Sequence, residues 1–316
     1  MNNEPGEIRL ANAAGLELRL LRQGASWVGC RVPLRDGSQR EVLLSLGTLA
    51  QHRANRAYVR ATVGRWANRI AGAVLQRDGR TWPLTTEPGQ AHQLHGGPGG
   101  FHQRDWVVQE LDDRHATFGL HSPDADQGFP GALDVTVRYA VGADLSVELV
   151  FDAALHGDQA CPVSLTNHAY FQLDGRPSDV RQQSLRVAAS HYLPVDASGL
   201  PLGGPATVES TRFNFQHERR IDDALDQGFL LQGGASLRSS DGRVTLHLST
   251  SMPSLQVYSG EFLPEGTDGL HPRFSAIALE PGWLPDSPRH AEWPQPDCWL
   301  MPGSRWQHRI GYRFEV

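Results

Sequence analysis

His168 is a candidate for proton-transfer chemistry because of its residue type and its sequence setting. It lies in the segment Leu165–Phe171, directly after Asn167, in a run that otherwise has the apolar pattern of a buried strand. Imidazole exchanges a proton near neutral pH, and burying it without a hydrogen-bond partner is unfavourable. The pattern therefore indicates either a histidine held by its neighbours for structural reasons or a histidine held for proton transfer.

Carboxyl and amide groups in apolar settings are candidate partners for such a histidine. Ser275–Leu279 reads as an apolar strand, which we expect to end at Glu280 because Pro281 follows. A carboxyl group at the end of a buried strand has a raised pKa and can act as a general base. The alternative is an ion pair with one of the many arginines. Asp226 and Gln256 are further polar residues in apolar surroundings, and each can equally be structural.

Hydrogen-bond donors are concentrated in the segment Gly64–Gly72, where Asn68 and Arg69 stand among small and apolar residues. Glycines at both ends permit close approach of the backbone, and these two side chains could donate to the hydroxyl groups of a polar ligand. The alternative is a surface loop in which Arg65 and Arg69 form ion pairs.

His95 lies near the start of the segment Gln93–Phe101, which contains four glycines. Such a loop can hold a phosphate, but no lysine follows it and no helix pattern begins behind it, so phosphate binding is not indicated. His92 and His95 have the spacing of metal ligands on a helix, yet the local sequence is not helical and no third ligand is close. We therefore expect no metal site.

The composition excludes several classes of function. All 29 basic residues are arginine, so neither a lysine Schiff base nor a P-loop lysine is possible. The net charge of −6, without a basic cluster, argues against nucleic-acid binding, and no apolar stretch approaches the roughly 20 residues of a membrane span. Met1–Gly6 lack the features of a secretion signal and the cysteines are few and far apart, so we expect a cytoplasmic protein.

Alternation of polar and apolar residues with a period of two predicts strands along most of the chain. Hairpins are indicated at 73–82 around Asp78-Gly79, at 106–120 and at 134–149, and later strands at 184–188, 243–249, 255–259, 276–279 and 306–314. Helical patterns are short, as at Leu46–Asn55. We therefore predict an all-β fold, a single domain over residues 1–316 built as a large antiparallel β-sandwich of two packed sheets.

Four segments, taken in order, resemble the aldose 1-epimerase family, the galactose mutarotases. They are Gly64–Ile70, Leu94–Gly97 with Gly100-Phe101 and Trp106, Thr166–Phe171, and Glu280 with Pro285-Asp286. Each motif is weak by itself, but together they cover nearly the whole chain at matching spacing. The resemblance implies a β-sandwich of the galactose-mutarotase type that acts on a small-molecule sugar without a cofactor.

The resemblance also implies roles for individual residues. The acid that protonates the ring oxygen would be His168, and the base that removes the C1 hydroxyl proton would be Glu280. The chemistry of ring opening independently requires such a pair, and we expect its two members on opposite sides of the sugar. The residues that would bind and polarise the ring-oxygen side are His95, counted as catalytic, and Arg69. The residues that would hold other hydroxyls are Asn68, Asp226 and Gln256. The candidates for an aromatic face against the sugar are Trp66, Tyr170, Phe229 and Trp283.

Two other functions stay open on the sequence. A hexose-6-phosphate 1-epimerase needs several positive side chains together, and the arginines of this chain are plentiful but not visibly clustered. A non-catalytic sugar-binding protein of the same fold would have lost turnover, and the presence of His168, His95 and Glu280 argues against it. Departures from the family pattern, such as Pro281-Gly282-Trp283 and Gln172, leave the identity of the sugar open. We expect a monomer or a homodimer.

Overall fold

The computed structural model describes residues 6–44, 51, 58–176, 178–263 and 271–316, and these form 27 β-strands and five short 3₁₀ turns. In chain order the strands are β1 (Glu7–Ala11), β2 (Glu17–Leu21), β3 (Ser26–Pro33), β4 (Gln39–Glu41), β5 (Thr62–Val63), β6 (Arg69–Ile70), β7 (Val74–Arg77), β8 (Arg80–Pro83), β9 (Gln93–Leu94), β10 (Val107–Leu111), β11 (His115–Ser122), β12 (Ala132–Val141), β13 (Ser146–His156), β14 (Cys161–Pro162), β15 (Thr166–Asn167), β16 (Tyr170–Phe171), β17 (Ser184–Val187), β18 (His191–Tyr192), β19 (Ala206–Thr207), β20 (Arg219–Arg220), β21 (Asp226–Leu230), β22 (Ala235–Arg238), β23 (Thr245–Thr250), β24 (Ser254–Tyr258), β25 (Ile277–Gly282), β26 (Trp299–Leu300) and β27 (Arg305–Glu315). The 3₁₀ turns are Ala71–Ala73, Phe101–Gln103, Asp126–Gly128, Val180–Gln182 and Ser287–Arg289.

Two large antiparallel sheets make up most of the fold. The nine-stranded sheet has the order β10-β11-β12-β13-β27-β23-β22-β17-β20, and the six-stranded sheet has the order β16-β25-β24-β21-β18-β19. One hydrophobic cluster contains buried side chains of both, such as Phe151 from the first and Val257 from the second. The prediction of an all-β sandwich is confirmed.

The hairpins follow from local sequence. β12 and β13 pair from Ala132↔His156 to Val141↔Val147, and β13 buries every second side chain along almost its whole length. β7 and β8 are joined by Asp78 and Gly79, which both have positive φ, as a two-residue hairpin turn requires. The three hairpins and the later strands that we predicted are therefore present, with ends shifted by a few residues.

Two predictions about strand ends are wrong. The run around His168 is not one strand, because β15 pairs with β5, β16 pairs with β25, and His168 lies between them. β25 does not end at Glu280 but continues through Pro281 to Gly282. Beyond Ala278 this strand pairs, among the described residues, with β24 alone. Proline is tolerated at such an edge because no neighbouring strand needs its N–H.

Arg65 is buried, so the alternative that placed it in an ion-paired surface loop is wrong for this residue. Its guanidinium donates to the carbonyl oxygens of Gly131 and Pro123, each at 2.6 Å, and to both the carbonyl and the hydroxyl oxygen of Ser122. These bonds attach the Gly64–Gly72 segment to the turn that follows β11. The predicted helical segment 46–55 lies, apart from Gln51, outside the described residues. Among the described residues no helix is long and apolar enough to span a membrane.

Candidate active site

The six-stranded sheet brings Glu280, Gln256 and Asp226 together on three neighbouring strands. Gln256 of β24 is paired with Glu280 of β25, and Asp226 of β21 is paired with Tyr258, two residues further along β24. Side chains of such same-face pairs lie close together in an antiparallel sheet. Gln256 Nε2 donates to Asp226 Oδ1 at 2.6 Å. These three residues, far apart in the sequence, therefore form one polar patch.

The His168 imidazole reaches this patch from the break between β15 and β16. The His168 N–H donates to Ala61 O at 2.9 Å, and its carbonyl oxygen accepts from Arg60 N at 2.8 Å, which fixes the backbone on both sides. The ring is buried, and its Nε2 lies 3.5 Å from Glu280 Oε1. A sugar ring cannot fit between atoms this close, so the expected placement on opposite sides of the substrate is wrong. The two groups form one wall of the site.

Burial shifts the pKa values of this pair in opposite directions. Removal from water raises the pKa of Glu280 to about 8; the Asp226 carboxylate adds to this rise and the Arg69 guanidinium opposes it. Removal from water also lowers the pKa of His168 to about 4. Each shift disfavours the charged form of its group. A pair with one proton is thus the dominant form between these values, and its neutral arrangement has the proton on Glu280.

His95 lies beside His168, with the two ring centroids 5.2 Å apart. Its Nδ1 accepts a hydrogen bond from the backbone N–H of Asn68 at 3.2 Å. In the neutral imidazole the other nitrogen then carries the hydrogen, so Nε2–H is a donor. Burial lowers the pKa of His95 well below its ordinary value, and the neighbouring His168 and Arg69 lower it further, which keeps the ring neutral.

Asn68 and Arg69 stand where β6 pairs with β9, directly beside His95. Asn68 has φ of +73°, and its Oδ1 accepts from Arg69 N at 2.8 Å. The Arg69 guanidinium extends toward the polar patch and lies 3.8 Å from Asp226 Oδ2. Asp286 supports this segment, because its N–H donates to Arg69 O and its carboxylate accepts from Ala71 N, both at 2.9 Å. The fold therefore assembles all seven predicted site residues.

The ligand chemistry of the site does not suit a metal centre. Within the described part of the chain, His95, His168 and Glu280 offer ligand atoms that all lie within 4.8 Å of one another. A metal needs an unprotonated ligand nitrogen, whereas the hydrogen bond from Asn68 leaves the hydrogen on His95 Nε2. This donor set does not fit a resident metal. His92 is not part of it, since its Nδ1 accepts from Gly72 N at 3.0 Å.

The four residues predicted as candidates for an aromatic face against the sugar lie in different surroundings. Trp66 and Phe229 are buried in the hydrophobic core, so their assignment to a sugar-facing surface is wrong. Trp283 is buried and donates its Nε1–H to Val163 O at 2.9 Å. Tyr170 packs on the His168 ring at a centroid distance of 4.8 Å. Of these four side chains, Tyr170 is therefore the one with a described contact to a predicted site residue.

Two residues beside the histidines were missed by the sequence. Tyr58 is half-buried, and its ring lies 4.6 Å from the rings of both His95 and His102. His102 is buried in the turn Phe101–Gln103, and burial lowers its pKa to about 4. Tyr58 stands in no alternating or motif-like pattern, and His102 directly follows Gly100-Phe101 but is not one of the motif residues. Their place beside the site follows only from the pairing of distant segments.

Known proteins resemble this chain along nearly its whole length. A family model described as Aldose 1-epimerase matches residues 6–313. The aldose 1-epimerase of Escherichia coli (strain K12) is 40% identical to this chain, and the alignment covers 97% of this chain and 94% of the relative. The galactose mutarotase of Homo sapiens is 30% identical, and the alignment covers 95% of this chain and 92% of the relative. A solved GalM/aldose epimerase homologue from C. elegans superposes with a TM-score of 0.90 at 28% identity and covers 98% of both chains.

Proposed function

This chain belongs to the aldose 1-epimerase family, and we propose that it interconverts the α and β anomers of a free aldose, with Glu280 as base and His168 as acid. The observation that carries this assignment is the buried pair, whose facing atoms are 3.5 Å apart. The two oxygens that exchange protons in this reaction are both bonded to C1 of the sugar. A compact pair on one wall can therefore serve both.

The reaction proceeds by ring opening and closing. The Glu280 carboxylate takes the proton of O1, a C1=O carbonyl forms, and the bond between C1 and the ring oxygen breaks as that oxygen takes a proton from the His168 imidazolium. The aldehyde then rotates about the C1–C2 bond. In closing, His168 takes back the proton of the attacking hydroxyl while Glu280 returns its proton to O1. The pair ends in its starting state, and the anomer is inverted.

The protonation of the pair suits this cycle. Burial favours the neutral arrangement of Glu280 and His168, which is also the arrangement reached after ring opening. Proton transfer from the charged arrangement therefore runs toward the form that the buried site prefers. The Arg69 guanidinium lowers the pKa of Glu280 and so helps to generate the carboxylate that begins the reaction.

The surrounding donors and acceptors provide the sugar contacts in this proposal. The Nε2–H of His95 and the guanidinium of Arg69 donate to the ring-oxygen side and stabilise charge that develops there. The side chains that hold the remaining hydroxyls are Asn68, Asp226 and Gln256. Both proton carriers are side chains, so the mechanism needs no metal or other cofactor. Full activity after dialysis against a strong chelator is the expected result.

A free aldose fits the site better than a phosphorylated one. Arg69 is the arginine of the described site, and it already faces the Asp226 carboxylate at 3.8 Å. That carboxylate would repel a phosphate placed beside it. Comparing glucose with glucose 6-phosphate distinguishes the two reactions, and comparing galactose, glucose and other aldoses identifies the preferred sugar.

The test of the function is the rate at which one pure anomer equilibrates, followed by polarimetry. Glu280→Gln and His168→Asn should each lose about 10²- to 10⁴-fold of the catalysed rate, the usual contribution of a general acid or base. Matched controls are Glu209→Gln and His217→Asn, which make the same changes at exposed positions and should leave the rate unchanged. Near wild-type rates in both site variants would refute the assignment. Binding of sugars without any acceleration by the wild type would identify a sugar-binding protein instead.

The proposal also covers the domain organisation, the oligomeric state and the location of the protein. We propose that the chain acts as a single domain, as a monomer or homodimer, in the cytoplasm. Cys30, Cys161 and Cys298 are all buried and free, which suits a reducing compartment.

A further inference from the structure

Tyr58 has no role in the reaction proposed so far, and its aromatic ring contacts three histidines. The centroid distances are 4.6 Å to His95, 4.6 Å to His102 and 6.4 Å to His168, the last with nearly parallel planes. His95 and His168 are the two histidines of the proposed site. Tyr58 therefore connects the glycine-rich loop, which supplies His95, with the break between β15 and β16, which supplies His168.

The backbone of Tyr58 is held in an unusual conformation. Its φ is +58°, in the left-handed region that residues with a Cβ atom rarely adopt. The turn closes with a hydrogen bond from Ala61 N to Tyr58 O at 3.2 Å, and the same turn exchanges two backbone hydrogen bonds with His168. A strained residue persists where its surroundings demand it, and such residues cluster at functional sites. The strain here places the Tyr58 ring against the histidines.

The His168 ring has a second aromatic neighbour. Tyr170 packs on it at a centroid distance of 4.8 Å and an interplanar angle of 26°, and Tyr58 stacks at 21°. The two tyrosines thus restrict tilting of the imidazole, while Nε2 points at Glu280. A proton carrier needs this fixed orientation, since a displacement of about 1 Å in an active site can cost on the order of 100-fold in rate.

We propose that Tyr58 is a positioning residue of the epimerase reaction, whose ring holds the imidazoles of His168 and His95 in place and excludes water from them. This inference rests on the proposed function of the site. The ring of Tyr58, and not its hydroxyl, does the positioning, because its contacts with the three histidines are ring contacts. Tyr58 acts through the two histidines and transfers no proton itself.

Water exclusion by the ring has a measurable consequence for His168. Within the described part of the chain, the titratable groups that face this imidazole are Glu280 from β25, Tyr170 from its own segment, His95 and His102 from the glycine-rich loop and its turn, and Tyr58. The main cause of its lowered pKa is burial. Removing the Tyr58 ring admits water to the imidazole, which stabilises its protonated form and raises its pKa. The acid limb of the rate profile should move to higher pH.

The decisive variants are Tyr58→Asn and Tyr58→Phe. Asparagine tolerates a positive φ better than other residues with a Cβ atom, so Tyr58→Asn removes the ring without adding backbone strain. Tyr58→Phe keeps the ring and removes the hydroxyl. A matched control is Tyr192→Leu, which deletes another half-buried tyrosine ring, packed on Phe213 away from the site. Circular dichroism and thermal melting of each variant verify the fold.

We expect Tyr58→Asn to lower kcat/KM by about 10- to 100-fold and to raise the midpoint of the acid limb by about one pH unit. Tyr58→Phe should keep kcat/KM within about twofold of wild type and leave the midpoint of the acid limb unchanged. Tyr192→Leu should change neither kcat/KM nor the midpoint. NMR titration of the His168 imidazole in wild type and Tyr58→Phe gives the same comparison without a destabilising change. Equal pKa values in these two proteins support a ring contact, and a large difference refutes it.

Other results would overturn the inference. An active wild type with unchanged kcat/KM in Tyr58→Asn would show that the ring positions nothing. A fall in kcat/KM with an unmoved acid limb would refute water exclusion from His168. A wild type that does not accelerate anomerisation would instead refute the proposed function, so the two failures are distinguishable.

Discussion

Activity should depend on pH through the single proton shared by Glu280 and His168. Burial raises the pKa of Glu280 to about 8 and lowers that of His168 to about 4, so the pair carries one proton between these values. Only this form can donate to one oxygen and accept from another. Above about pH 8 the pair loses its proton, and below about pH 4 it gains a second one. The profile of kcat/KM should therefore be bell-shaped.

The alkaline limb gives the clearest magnitude. Two pH units above the pKa of about 8, roughly 1% of the pair retains its proton, so kcat/KM at about pH 10 should be about 100-fold below the plateau. Anomerisation of a pure sugar is followed by polarimetry at a sugar concentration well below KM. The uncatalysed rate, which hydroxide increases, is measured at each pH and subtracted. Circular dichroism at each pH separates titration of the site from unfolding.

Two results would refute this reasoning. A kcat/KM that stays constant from about pH 7 to about pH 10 would show that no proton of the pair is lost there, and burial would not control the Glu280 pKa. An alkaline limb of unchanged position in the residual activity of Glu280→Gln would assign that limb to another group. A limb that disappears in Glu280→Gln supports the assignment.

Three further predictions concern positioning and stability. A Cβ on Gly199 would lie 2.7 Å from Arg69 Cζ, so Gly199→Ala should raise KM about tenfold in steady-state kinetics, whereas Gly79→Ala, with similar φ and open space, should not. Arg65→Met leaves buried carbonyl groups unpaired and should lower the free energy of unfolding in urea by about 3 kcal/mol. Burial lowers the pKa of His308 to about 3, so between pH 7 and 5 only the unfolded state gains a proton at this residue. His308 should therefore contribute a decrease of about 2 kcal/mol to the change in the free energy of unfolding over that range, and His308→Gln should lack this contribution.

Each of these predictions has an outcome that contradicts it. Equal KM values for Gly199→Ala and Gly79→Ala would show that Arg69 can move aside without loss. A urea midpoint of Arg65→Met equal to that of wild type would mean that its carbonyl partners find other donors. Unfolding curves of His308→Gln that depend on pH as steeply as those of wild type would assign the acid sensitivity to the other buried histidines.

The sequence by itself determined most of the strands, the hairpins and the set of residues that we propose carry the chemistry. Alternation in β12 and β13 and the Asp78-Gly79 turn depend on neighbouring residues, so a local pattern could predict them. The motifs around Asn68, His95, His168 and Glu280 could be identified because their polar side chains stand among apolar and small residues. The family resemblance then placed them in one site.

The tertiary structure decided how those residues act. The hydrogen that His95 keeps on Nε2 depends on the backbone of Asn68, and the opposite pKa shifts of Glu280 and His168 depend on burial by distant segments. The place of Tyr58 against the histidines likewise depends on long-range pairing. Tautomers, desolvation and ring contacts are properties of surroundings assembled from the whole chain. A linear pattern therefore names the groups, and only the packed sheets fix their protons and orientations.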